Sequence, residues 1–115
     1  MAQRLANYPV HRDTQGEKTN PDTTIVMADT GAIPAGIYEV LVSVSETALA
    51  EYAVQRRNVA NDANIGDVVV FYGPANSGRD VPLRFEIEKD ERVRVMMNAS
   101  LTGDAVVHVT AQRVG

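Results

Sequence analysis

From Thr24 onward the sequence runs in a two-residue rhythm, and that rhythm restricts the folds open to it. Over residues 37–45, Tyr38, Val40, Val42 and Val44 fall on one side of an extended chain, while Glu39, Ser43 and Ser45 fall on the other. Successive strand side chains point to opposite faces, so this pattern describes a strand with one face buried. Seventeen valines, stiff at χ1 and suited to a pleated surface, reinforce it. Similar runs predict strands over 24–28, 49–57, 67–72, 81–88, 92–98 and 105–112. Residues 46–60 also tolerate a helix, but their neighbours on both sides are strands, so a strand is preferred. The apolar run 67–72 predicts a strand covered on both faces. Turn chemistry separates the runs: Ala32-Ile33-Pro34-Ala35-Gly36, the Asn/Asp/Gly stretch 58–66, and Gly73-Pro74-Ala75-Asn76-Ser77-Gly78. About seven short strands at regular spacing predict an all-β fold, a single β-sandwich or jelly-roll-like domain over 25–115.

Residues 1–24 differ. Their apolar residues are few, and Arg4, Arg12 and Lys18 balance Asp13, Glu17 and Asp22. A segment that buries little of itself reads as an extended N-terminal arm. It is either a frayed terminus or an arm that lies on a partner through Leu5, Tyr8, Val10 and Arg12.

The stretch 81–98 invites a register. Val81, Leu83, Phe85 and Ile87 alternate with Arg84, Glu86 and Glu88, then Val93, Val95 and Met97 with Arg92 and Arg94. A turn over 89–91 predicts a hairpin pairing Glu88 with Arg92, Glu86 with Arg94, Ile87 with Val93, Phe85 with Val95 and Leu83 with Met97.

No pattern of residues points to catalysis. With no cysteine there is no disulfide, thiolate nucleophile or Cys-ligated zinc. Glu86 and Glu88 sit side by side like a glycosidase pair, but arginine partners would keep both ionised and deny one the raised pKa an acid needs. The 62–67 stretch faintly suggests a calcium loop, yet its twelfth position is Gly73 where a bidentate Glu would stand. His11 and His108 are too few for a metal site, and no nucleophile elbow or phosphate loop appears. No catalytic, cofactor or metal residue is therefore assigned. A net charge of -4 argues against nucleic acid as a partner, and no apolar run reaches the ~20 residues of a membrane helix. Residues 1–10 show no signal-peptide pattern.

What remains for function is surface. Arginine supplies nine of the eleven basic residues, as interfaces favour and as coding bias would also give. Leu41, Met96 and Val106 fall on otherwise polar faces and would form a self-association patch if they converged. The polar arm, the turn Ile33-Pro34-Ala35-Gly36-Ile37-Tyr38-Glu39 and the Val-rich β domain together resemble small virion structural proteins of tailed bacteriophages, most closely a capsid decoration (cement) protein. That resemblance implies a homotrimer on the outside of the head, with the major capsid protein or another virion protein as partner. Residues 1–24 would touch the capsid by position only. A head-fibre or tail-associated β domain is the runner-up, followed by a carbohydrate- or surface-binding sandwich. An enzyme with a site at a subunit boundary comes last.

Overall fold

The computed structural model describes residues 10–20, 25–98 and 103–115. The described residues form eight strands: β1 (His11–Thr19), β2 (Ile25–Ile33), β3 (Gly36–Glu46), β4 (Ala50–Asn58), β5 (Asn64–Gly73), β6 (Arg79–Ile87), β7 (Glu91–Met97) and β8 (Asp104–Arg113). They form two antiparallel sheets in the orders β1-β8-β3-β6 and β2-β7-β4-β5. The chain changes sheet at every connection except β4 to β5, which is the jelly-roll topology. The expected all-β sandwich is thus the fold of the molecule.

The core is built from one side of each alternating run. Tyr38, Val40, Val42 and Val44 of β3 and Val107 and Val109 of β8 meet Tyr52 and Val54 of β4 and Val93, Val95 and Met97 of β7. Complete burial of a valine side chain is worth roughly 1.5–3 kcal/mol, so these rows dominate the stability. Tyr52 stacks on Phe71 with ring centroids 5.4 Å apart. Residues 46–60 are a strand over Ala50–Asn58, with Ala50, Tyr52 and Val54 facing inward as their spacing requires.

Three expectations need correction. First, the 81–98 hairpin does not form: β6 pairs with β3, and β7 lies in the other sheet between β2 and β4. Glu86 stands opposite Ile37, while Arg94 reaches Asp29 and Asp62. The physical reason is that Ile87 and Val93 do share a core, but they enter it from opposite sheets. A hairpin and a sheet-to-sheet crossing bury the same alternation. Second, part of the segment read as an arm is a strand of the domain. All nine residues of β1 are in register with β8, from His11 opposite Gln112 to Thr19 opposite Asp104. Third, β2 runs to Ile33 rather than ending at Ala28. Two bulges break its rhythm, and local side chains repair the ladder. The Asp29 carboxylate accepts the Gly31 N–H at 2.7 Å, and the Thr30 hydroxyl accepts the Val93 N–H at 3.1 Å. Gly31 takes φ 72°, a conformation open to glycine.

The two sides of the sandwich close differently. On one, β1 lies directly against β2, and a Cβ on Gly16 would meet the Met27 carbonyl oxygen at 1.6 Å. On the other, Val81, Leu83 and Phe85 of β6 are only half-buried. There two arginines cross the gap in opposite directions. Arg56 of β4 lies over Phe85, and Arg79 of β6 lies over Phe71, at 5.7 and 5.4 Å from the ring centres. Arg56 also grips the buried Glu91 through both carboxylate oxygens at 2.7 and 2.8 Å. At one end of the sandwich Glu46 is buried, with its Oε2 accepting from the Tyr52 hydroxyl and its Oε1 without a hydrogen bond. Burial lifts this carboxyl above the ordinary range, and the Tyr52 hydrogen bond pulls the other way.

Two outcomes follow. Gly16→Ala is expected to lose about 1–3 kcal/mol of unfolding free energy, read as a lower denaturation midpoint. An unchanged midpoint would mean that β1 and β2 do not approach this closely. For Glu46, a folded pKa raised above the unfolded one favours folding at low pH, and that contribution disappears as pH rises through the folded value. Glu46→Gln is therefore expected to gain stability over the wild type at about pH 7 and to lose that advantage by about pH 4. Denaturation curves for both proteins at the two pH values check this.

Candidate functional site

The inner faces being spent on the core, the outer faces carry whatever chemistry the molecule presents. On the β1-β8-β3-β6 sheet, register places His11, Gln112, Glu39 and Arg84 in one row across all four strands. The next row holds Asp13, Thr110, Leu41 and Pro82, and the third Gln15, His108, Ser43 and Asp80. Among the described residues, Glu17, Glu86 and Asp104 extend the same face, so six carboxylates stand there against a single arginine, Arg84. His108 contacts Asp13, and Arg84 sits 3.7 Å from Glu39. Glu39, Leu41, Pro82, Arg84, Thr110 and Gln112 line a shallow depression. Among the described residues, no aromatic ring lines it.

The β2-β7-β4-β5 sheet presents a different surface. Val26 lies opposite Met96, Met96 opposite Ala53, and Ala53 opposite Val70, an apolar row crossing all four strands. Its ends are open, with Val26 38% and Val70 48% exposed, and Tyr72 beside Val70 is 54% exposed. Tyr72 hydrogen-bonds Glu51 across the β4–β5 pair, and this raises the phenol's pKa. Beyond the row stand Arg57, Arg92 and Arg94 with Asp29 and Asp62. A hydrogen bond from Arg57, then the charges of Arg94, Arg57 and Arg92, hold the Asp62 carboxyl below its usual range.

The anticipated contact residues divide. Leu5 and Tyr8 lie outside the described residues. Val10 packs against the core, and its carbonyl accepts the Arg113 N–H at 2.8 Å. Arg12 lies within β1, half-buried, and donates to the His11 carbonyl. The apolar trio does not converge: Leu41 and Val106 face out from one sheet and Met96 from the other. Met96 instead joins Val26 and Val70, which sequence reasoning missed. The run 67–72 read as covered on both faces, but β5 is an edge strand and Val70 and Tyr72 face outward. Alternation inside the run could not reveal this, because apolar residues occupy both of its faces. Asp62, the first acid of the calcium-like stretch, turns to arginines. Among the described residues, no group of three or more His, Asp or Glu side chains is placed to hold a metal ion.

Fold and surface thus define a jelly-roll β-sandwich with two contrasting outer faces. No protein-family model matches the sequence, and no curated protein matches it. Solved structures match the fold. Eiger TNF from S. frugiperda aligns with TM-score 0.58 and 9% identity, covering 95% of this chain and 94% of that one. The CBM22-1 and GH10 modules of a Clostridium thermocellum endo-1,4-beta-D-xylanase, complexed with xylohexaose, align with TM-score 0.60 and 11% identity over 91% of this chain. The active domain of tailspike protein 4 from bacteriophage CBA120 aligns with TM-score 0.52 and 11% identity over 94% of this chain. The chain spans 26% of the xylanase and 20% of the tailspike. At such identities the likeness is one of fold.

Proposed function

We propose that this domain works by surface contact rather than catalysis, as a virion structural protein that binds the outside of a phage capsid and stabilises it. The observation that carries the contact reading is the apolar row Val26–Met96–Ala53–Val70, continued by Tyr72, on an outer sheet face. Covering apolar surface contributes about 25 cal/mol per Å² before the cost of association. The virion setting is supported by the resemblance of the arm and Val-rich domain to decoration proteins. A tailspike domain from a phage also shares the fold. In this reading the partner is the major capsid protein or another virion protein, and the domain itself is a homo-oligomer, a trimer by that resemblance. A glycan-binding module is the second reading, favoured by the polar depression around Glu39, Arg84, Thr110 and Gln112.

The deletion that tests the arm must stop at residue 9, because removing β1 would strip β8 of a partner. The full chain is expected to co-sediment with expanded phage capsids, more weakly without residues 1–9. A Val26→Glu/Val70→Glu variant with unchanged circular dichroism is expected to lose binding at least ~10-fold, since each buried charge costs well over 1.4 kcal/mol. If neither the full chain nor the truncated form binds, the decoration role fails. Retention of a glycan array ligand would then favour the module.

A further inference from the structure

Below the apolar row, β7 sends Arg92 and Arg94 outward and β4 sends Arg57, and the 59–63 loop folds Asp62 onto all three. The three guanidinium groups meet the same atom, Asp62 Oδ1: Arg57 Nε at 3.1 Å, Arg94 Nη2 at 3.2 Å and Arg92 Nη1 at 3.8 Å. Asp29 is the other counter-ion, with Arg94 Nε at 2.9 Å and Arg92 Nε at 3.5 Å. Donors outnumber acceptors, since each guanidinium carries five N–H groups. The surplus shows in one atom: Arg92 Nε is buried and makes no hydrogen bond, its approach to Asp29 being a charge contact only. Among the described residues, three arginines against two aspartates also leave the cluster one positive charge in excess.

The Asp62 carboxylate is a solvent-exposed occupant, and Arg57 also donates to the Asp62 backbone carbonyl. Its side chain is 50% exposed, and exposed ion pairs contribute only ~0–1 kcal/mol. It sits on an exposed loop at φ 54°, where glycine also fits. Planar guanidinium forks suit carboxylate, phosphate and sulfate groups alike. We propose that Arg57, Arg92 and Arg94 form a binding site for an oxyanion group of an acidic ligand, and that the Asp62 carboxylate is a tethered placeholder which the ligand displaces. Removing the placeholder while keeping the turn strengthens the site, and removing an arginine weakens it.

The test is a titration of the intact protein with sodium phosphate, sulfate and acetate, against chloride at matched ionic strength, followed by the arginine Nε–Hε signals in NMR. Saturable shifts are expected at Arg57, Arg92 and Arg94 and not at Arg84 or Arg113. Asp62→Gly is expected to tighten binding by up to about 5-fold, the upper end of what an exposed ion pair holds back. Arg92→Gln, whose contacts are the longest of the cluster, is expected to weaken it by a similar factor. Asp62→Asn, which tolerates the same backbone, serves if the glycine variant misfolds. A preference for phosphate or sulfate would assign a tetrahedral group, and equal or better binding of acetate a carboxylate. Shifts that match chloride and spread over all surface arginines, or affinity unmoved by both Asp62 variants, would overturn the proposal.

Discussion

The sandwich rests on a layer of side chains one residue deep from each sheet, and the rest of the molecule is arranged around keeping that layer shut. Val40, Val42, Val107 and Val109 from one side and Val54, Val93 and Val95 from the other are almost wholly shielded from solvent. Where the sheets come closest, a side chain would be too much, and Gly16 lies against the Met27 backbone. Where they part, aliphatic residues no longer reach across, and Arg56 and Arg79 span the gap by stacking on phenylalanines from the opposite sheet. Arg56 stays charged there because Glu91 satisfies it. Each edge of the sandwich has thus been closed by the side chain, or the absence of one, that its spacing requires.

Strand positions and inward faces could be read from the sequence because burial imposes a period of two. Tyr38 to Val44 and Ala50 to Val54 face the core as their spacing demands. Partnership could not be read the same way. Ile87 and Val93 would be buried equally by a hairpin or by a crossing between sheets, and the arginines that seemed to choose the hairpin pair with Asp29 and Asp62 instead. β1 went unrecognised because it enters the sheet mainly through backbone hydrogen bonds, with side chains His11, Asp13, Gln15 and Glu17 left outside. The outer apolar row, open at its ends, was hidden for a related reason. Its members come from four strands distant in sequence, and only the register β2-β7-β4-β5 brings them side by side.

The two outer faces follow from the same arithmetic of alternation but differ in character. One is acidic, with Asp13, Glu17, Glu39, Asp80, Glu86 and Asp104. The other combines an apolar row with an arginine cluster whose charge is nearly, but not wholly, cancelled. A domain with this division can hold one partner through apolar burial and still offer a cationic rim to a second, acidic one.

The place of β8 in the sheet has a bearing on how the chain acquires its structure. The last strand in sequence lies between the first and the third, so its ladder with β1 joins residues about a hundred positions apart. Apart from β4 and β5, every strand waits for a partner that is not its neighbour in the chain. Loops of that length must close before contacts repay their entropy, which places the domain among slow, high-contact-order folders. Until β8 is in place, β1 has no sheet to join and β3 lacks one of its two neighbours. The first and last strands are also the pair whose backbones join at Val10 and Arg113. New termini opened in the exposed 59–63 loop, with the old ones linked, would make that pairing local but would part β4 from β5, exchanging one long-range ladder for another without changing the final sheet order.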